Sequence, residues 1–294
     1  MIPPNEIFKK KILIYGLGKS GQTSLNYLKH KNLCFVFDDN KKKIKKKIKK
    51  FHISEINLIK KQFDYIILSP GIDKKNCLLS SYLKKYKKKI ITELDVFYKF
   101  NPEILTITVT GTNGKSTTCK LLANILKNHD IDVRLTGNFG KPLLQEKNIK
   151  KNTVFVVEAS SYQLEYSRYF KSKFSMIINI SPDHLERHKT MKNYIQSKLK
   201  SVIKQKKGDI SIIEDNNLIK KEIKKKNIKS KIIFLKKTKY LKFKFKIKNN
   251  YLNNPINLQN ISFLLELSKY LKLKKNIILN TINNFKPLKF RQEI

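Results

Sequence analysis

The sequence predicts an α/β protein in which a Rossmann-like N-terminal unit precedes a second unit of P-loop type. Three observations carry this. Two β-branched, apolar runs break into glycine turns where a helix can begin, at ILIYGLGKSG and at TITVTGTNGKSTT. Other short apolar runs alternate with charged, helix-compatible stretches, the pattern of buried parallel strands joined by crossover helices. The chain, 294 residues and 40% hydrophobic, is long enough to bury two cores.

The first element is the strand Ile12–Tyr15, followed by Gly16, Gly18 and Gly21 in G-x-G-x-x-G spacing and then a helix. CFVF gives a second strand ending at Asp38 and Asp39, where a carboxylate can meet a ribose hydroxyl. A nucleotide site, and a turn whose glycines only ease packing, both satisfy this fragment. NKKKIKKKIKKF carries Ile44, Ile48 and Phe51 at helical spacing, which predicts a charged surface helix with a thin apolar stripe. FDYIILSPGI supplies the buried strand Tyr65–Leu68 and the turn Ser69-Pro70-Gly71, and Lys89–Thr92 adds a strand before Glu93.

A second unit opens near Pro102. Thr106 to Thr110 suit a buried strand, Gly111 and Gly114 permit a tight turn with exposed backbone N–H groups, and Lys115 to Leu126 suit a helix. Such N–H groups at a helix N-terminus attract phosphate oxygens. The usual spacing G-x-x-x-x-G-K-[ST] would put glycine where Val109 stands, so the pattern is incomplete. Strand, two glycines, lysine and hydroxyl nevertheless stand together in order, which a plain turn with a solvated lysine does not explain. Lys115 can reach terminal phosphates, and Ser116 or Thr117 can offer a hydroxyl to magnesium.

Downstream, TVFVVE ends on Glu158 and runs into ASSYQLE, and FSMIINI ends at SPDHLERH, so acidic and imidazole groups fall at successive strand ends. YLKFKFKIK alternates Leu241, Phe243, Phe245 and Ile247 against polar partners, predicting a half-exposed strand. Helices near Asn260–Leu271 and Asn276–Asn284 follow.

The formal charge of +42 invites a nucleic-acid function, but only four of the 64 basic residues are arginine and alanine occurs twice, while lysine, isoleucine and asparagine crowd the chain. This is the residue set of AT-rich codons, so the charge reads as compositional bias on solvated surfaces. Nonspecific RNA adhesion stays open. No apolar run approaches the roughly 18–20 residues that span a bilayer, and the start MIPPNEIFKKKILIYG lacks a signal-peptide cleavage region. Cys34, Cys77 and Cys119 have neither disulfide-framework nor zinc spacing, which fits a reducing compartment and a cytoplasmic protein without a membrane partner.

In order along the chain, GLGKSG, SPGI, GTNGKST, GNFG, EASSYQLE, INISPDHLERH, YIQSK, NLQN and PLKFRQE resemble the motifs of the Mur ligases. That family's loop places its glycine at the position of Gly111. The resemblance is nearest to the branch that adds D-glutamate. It implies that ATP phosphorylates the carboxylate of UDP-N-acetylmuramoyl-L-alanine and that the amine of D-glutamate attacks the acyl phosphate. It also implies a UDP-substrate domain over residues 1–100, a central ATP-binding domain over 101–286, and in 287–294 the start of a third domain that the chain, ending at Ile294, does not continue. A truncated or decaying ligase, one piece of a split ligase, or a fragment of a longer gene product is therefore expected.

Residue by residue, the resemblance implies that Gly111, Thr112, Asn113, Gly114, Lys115, Ser116 and Thr117 cradle ATP, with Lys115 bridging its phosphates. Magnesium falls to Ser116, Glu158, His184 and Lys198, the last as a carbamate, a role that turns a cation into an anionic ligand. Asn257, Asn260 and Arg291 match the nucleotide side, although Ile256 stands where the family has histidine. Asn138, Ser161 and Gln163 match substrate contacts. Gly18, Lys19 and Ser20 match the UDP diphosphate site, Asp38 its uridine end, and Ser69 and Gly71 the neighbouring turn. Taken alone, Glu158, Asn138, Ser161 and Gln163 also read as turn caps, His184 as a structural histidine, and Lys198 as one lysine among many.

Two other readings stay open. A folylpolyglutamate synthase-like ligase more often carries GTNGKGS, so Ser116-Thr117 and SPGI favour the Mur reading. A noncatalytic nucleotide-binding remnant would keep the loop and lose the chemistry. No specific nucleic-acid partner is expected. A monomer is expected.

Overall fold

The computed structural model describes residues 7–236 and 246–288. The chain divides into two compact units: Met1–Pro102 with Pro142–Lys147 and Tyr162–Phe170, and Glu103–Lys141 with Asn148–Ser161 and Lys171–Ile294.

The first unit has a parallel sheet of β1 (Lys11–Tyr15), β2 (Leu33–Phe37), β3 (Tyr65–Leu68) and β4 (Ile90–Ile91), in the order β2-β1-β3-β4. Helices α1 (Lys19–Leu28), α2 (Glu55–Ile59), α3 (Ser80–Lys85) and α4 (Glu93–Phe100) connect or follow these strands. Leu13, Tyr15, Phe37, Ile66, Leu68 and Leu83 are buried in one cluster, which explains the near-continuous apolar character of the strands. Tyr15 lies in register with Phe37 on one side and Leu68 on the other. The strand order puts β2 and β3 on opposite sides of β1, a switch point of the kind at which open parallel sheets hold ligands.

Two expectations for this unit change. The lysine-rich stretch forms two short 3-10 turns, Lys41–Lys43 and Lys46–Phe51, instead of one surface helix. Like charges three and four apart repel along a helix, and no acidic residue falls between Lys41 and Phe51 to offset them. Asn40 starts the first turn by accepting the Lys42 N–H at 3.0 Å, and Ile53 N–H pins the far end to the Val36 carbonyl at 3.2 Å. The strand expected over Lys89–Thr92 is confined to Ile90–Ile91 because Thr92 caps α4. Asp95 reciprocates by accepting the Thr92 N–H at 2.8 Å, completing a capping box.

The second unit contains β5 (Leu105–Thr110), α5 (Lys115–Lys127), β6 (Val133–Gly137) and β7 (Val154–Glu158). Helix α6 (Ser161–Glu165) falls, after Ser161, in the first unit, and the second continues with β8 (Phe174–Ile177), α7 (Leu185–His188), α8 (Met191–Ile203), β9 (Ile210–Glu214), α9 (Asn217–Ile223) and β10 (Lys231–Leu235). Helices α10 (Pro255–Tyr270) and α11 (Lys275–Asn283) complete the described elements. The strands form a parallel sheet in the order β10-β9-β8-β5-β7-β6. Helix α5 buries Cys119, Leu122, Ile125 and Leu126 in the cluster that contains Ile107, Val109 and Val156 of the sheet and Phe263, Leu264 and Leu267 of α10.

Helix α10 begins before the expected Asn260 because Asn254 accepts the Asn257 N–H at 3.0 Å and Pro255 occupies the first turn. Of the expected strand YLKFKFKIK, Leu241, Phe243 and Phe245 lie outside the described residues, while Ile247 is buried in the core of this unit. Among the described residues no helix is long and apolar enough to cross a membrane.

Candidate active site

The loop from Gly111 to Gly114 joins β5 to α5, and its backbone is held from both sides. Asn179, just beyond β8, accepts the N–H groups of Thr112 (2.9 Å) and Asn113 (2.8 Å) through Oδ1, and its Nδ2 donates to Asn113 O (2.9 Å). Gly114 has φ +77° and lies against Asn260, so a Cβ there would stand 2.2 Å from Asn260 Nδ2. Both the left-handed conformation and the close approach require glycine. Asn179 was not singled out from sequence because INIS reads as an ordinary strand end; its signal lies only in where β8 falls beside β5.

Two lysines converge on this loop. Lys115 Nζ donates to Gly111 O (3.0 Å) and Thr112 O (2.7 Å). Lys198, 2% exposed on α8, donates to the same Gly111 O at 2.8 Å and lies 4.5 Å from the centre of the Tyr194 ring. Burial, and then the neighbouring charge of Lys115, hold the Lys198 ammonium down to about 7, while Asp183 opposes the shift. Tyr194 is also fixed from the loop side, its hydroxyl 3.1 Å from Thr112 Oγ1.

Next to the loop, Ser116 Oγ donates to Glu158 Oε2 at 2.7 Å, and both residues are fully buried. Asn138 Nδ2 donates to the other carboxylate oxygen at 3.1 Å. Sheet order brings Glu158, at the end of β7, beside β5. Serine hydroxyl and carboxylate are hard oxygen donors of the kind magnesium takes, so this pair fits that ion. Among the described residues no group of three or more His, Cys, Asp and Glu side chains gathers as a ready-made metal cluster.

The two histidines of DHLERH part company. His184 is exposed at a left-handed turn (φ 54°), with Asp183 at 3.4 Å and Glu186 at 3.6 Å from its ring nitrogens. His188 is buried, and its Nε2 lies 3.0 Å from Ser161 Oγ. Ser161 is thus held by a histidine that sequence reasoning did not single out.

On the helix side, Thr117 Oγ1 lies 3.3 Å from Tyr251 OH, and Asn257 Nδ2 donates to Tyr251 O at 2.9 Å. Asn260 is 2% exposed, and neither its Nδ2 nor its Oδ1 has a hydrogen-bond partner among the described residues. A buried amide with both ends unsatisfied suits a planar ligand edge carrying one donor and one acceptor. Ile256 is 54% exposed, and Arg291 lies outside the described residues.

In the first unit, Gly18 caps the N-terminus of α1, Lys19 is exposed, and Ser20 Oγ donates to the buried Glu93. Asp38 braces the turn by accepting the Leu17 N–H at 2.6 Å, and Ser69 Oγ donates to Gly16 O at 2.6 Å. A Cβ on Gly21 would lie 1.8 Å from Gly16 O, so that glycine is a packing requirement, whereas Gly18 and Gly71 are exposed. Gln163 is buried and belongs to this unit.

A parallel sheet whose central strand runs through a glycine turn into a lysine-and-serine helix start defines a P-loop-type nucleotide-binding α/β protein. Residues 109–274 match the Mur ligase middle domain. The UDP-N-acetylmuramoylalanine–D-glutamate ligase of Rickettsia prowazekii is 31% identical over 98% of this chain and 69% of its own length. The chain belongs to the Mur ligase family. The ligase of the same name from Rickettsia bellii is 36% identical over 71% of this chain and 47% of its own length, so the match spans about half of that relative. In fold, the chain is similar to the UDP-N-acetylmuramate:L-alanyl-γ-D-glutamyl-meso-diaminopimelate ligase of Neisseria meningitides, with a TM-score of 0.59 at 14% identity over 96% of this chain and 99% of that one.

Proposed function

We propose that this chain supplies the UDP-substrate and ATP sites of a ligase that adds D-glutamate to UDP-N-acetylmuramoyl-L-alanine in peptidoglycan precursor synthesis. The observation that carries the reading is the convergence of Lys115, Lys198 and the buried Ser116–Glu158 pair on one glycine loop. The names of its relatives supply the substrates. The central domain is taken as residues 101–286 and the UDP-substrate domain as residues 1–100, acting in the cytoplasm as a monomer.

In this reading Lys115 leaves the carbonyls of Gly111 and Thr112 for the phosphates of ATP, and the N–H groups of the loop orient them. Asn260, with Asn257 behind it, takes the base. Ser116 and Glu158, with His184 and a carbamylated Lys198, would hold magnesium, which would supply neutralisation of the phosphate charge. A Lys198 amine with weakened proton affinity is available in the neutral form that adds to carbon dioxide, releasing one proton. The substrate carboxylate then attacks the terminal phosphorus of ATP and ADP leaves. The D-glutamate amine next attacks the acyl carbon, loses a proton, and phosphate leaves. Asn138 and Ser161 orient the acyl end, and Gln163 is kept as a substrate contact of the first unit. Gly18, Lys19 and Ser20 hold the diphosphate, and Asp38 acts on the uridine end through the turn it braces beside Ser69 and Gly71.

Calorimetric titration of the chain with UDP-N-acetylmuramoyl-L-alanine tests the substrate assignment. Saturable binding, weakened by Lys19→Ala, is expected. No binding, or a salt-steep affinity for RNA in its place, would overturn it. A carbamate signal from Lys198 in isotope-labelled bicarbonate, lost in Lys198→Ala, checks the modification.

A further inference from the structure

Residues 178–180, just past β8, serve two partners. Asn179 grips the phosphate loop as described. Its neighbours face elsewhere: Gln259 of α10 donates its Nε2 both to Ile178 O (3.1 Å) and to Glu214 Oε1 (3.1 Å), while Glu214 Oε2 accepts the Ile180 N–H (3.0 Å). Glu214, the last residue of β9, is 4% exposed. One buried carboxylate and one side-chain amide therefore tie two strand ends to the first turns of α10. The residue after Gln259 is Asn260, the unsatisfied amide that crowds Gly114.

We propose that Glu214 and Gln259 are positioning residues that fix the base-side turn of α10, and Asn260 with it, beside the phosphate loop. The proposal rests on the ATP reading above. Helix α10 is packed through Phe263, Leu264 and Leu267, and apolar contacts resist separation but do not set direction. Hydrogen bonds to a buried carboxylate do set it, and they are the strong kind. The loop keeps its own grip through Asn179, so loss of the brace reaches the base and spares the phosphates.

Magnesium-ATP and magnesium-tripolyphosphate, which lacks a base, separate these effects by calorimetry on the whole chain. Gln259→Ala and the nearly isosteric Gln259→Met should weaken ATP about tenfold and leave tripolyphosphate unchanged. Gln259→Glu, which sets two carboxylates against each other, should weaken ATP further, and adding Glu214→Gln should recover part of the loss. Equal losses for both ligands would mean general loosening and would overturn the proposal, as would unchanged ATP affinity. Wild-type chain that binds tripolyphosphate with no advantage for ATP would overturn the base-side reading itself and the proposal with it.

Discussion

Lys115 and Lys198 share one acceptor: the Gly111 carbonyl oxygen receives the first Nζ at 3.0 Å and the second at 2.8 Å. Two ammonium groups on one oxygen repel, and only one of them, Lys198, is deeply buried. Anionic phosphate placed at the loop would relieve that repulsion.

That arrangement has a pH signature. The Lys198 ammonium, ordinarily near 10.5, is held down to about 7 in the fold by burial first and by Lys115 second. Between those values the unfolded chain binds a proton that the folded chain does not, so this residue's contribution to stability improves as pH rises through the window. Below about 7 the full cost of the buried charge is present. Lys198→Met should raise the melting midpoint relative to wild type most below that pH, with the gap closing toward 10.5. Thermal melts across the range in bicarbonate-free buffer check this, and a constant gap would contradict it.

Gly114→Ala should cost stability and nucleotide binding together. At φ +77° a non-glycine residue is strained by roughly 1–2 kcal/mol, and the added methyl would meet Asn260 at 2.2 Å. Denaturant melts and ATP titration should both show loss. Wild-type behaviour in both would mean that the loop relaxes easily.

Glu158→Gln keeps the size of the side chain and removes its charge, leaving Ser116 and Asn138 beside a neutral amide. Half-saturating magnesium for ATP binding should rise by about tenfold or more, since a hard cation loses an anionic ligand. An unchanged magnesium dependence would remove Glu158 from the metal site.

Asp95→Ala tests the first unit. This fully buried carboxylate accepts the N–H groups of Tyr169 (2.7 Å) and Phe170 (2.8 Å) and the Ser167 hydroxyl (2.9 Å) as well as capping α4. Removal leaves several buried donors unpaired, so a loss of about 3 kcal/mol or more is expected in denaturant unfolding. A loss under about 1 kcal/mol would mean that water replaces the carboxylate.

Strands and glycine turns are legible in this sequence because a buried parallel strand needs an unbroken apolar run, and ILIY, YIIL and VFVVE provide one. The phosphate loop is contiguous, so its ingredients can be read in order. Side chains that act across the fold are harder. Asn179, His188 and the Glu214–Gln259 brace have ordinary local contexts, and their partners are chosen by strand order. The lysine-rich turns after Asn40 misled the periodicity because three apolar residues at helical spacing do not outweigh the surrounding like charges. Asp95, within ITELDVF, looks like an ordinary cap, and its grip on residues 167–170 is set only by tertiary structure.

In the proposed function this loop binds nucleotide through Lys115. Magnesium-ATP is titrated into the chain and into Lys115→Ala, with matched circular dichroism. A charged hydrogen bond to phosphate contributes about 1.5–3 kcal/mol, so affinity should fall roughly ten- to a hundredfold with the fold intact. Equal affinity in the two proteins would remove Lys115 from the nucleotide site.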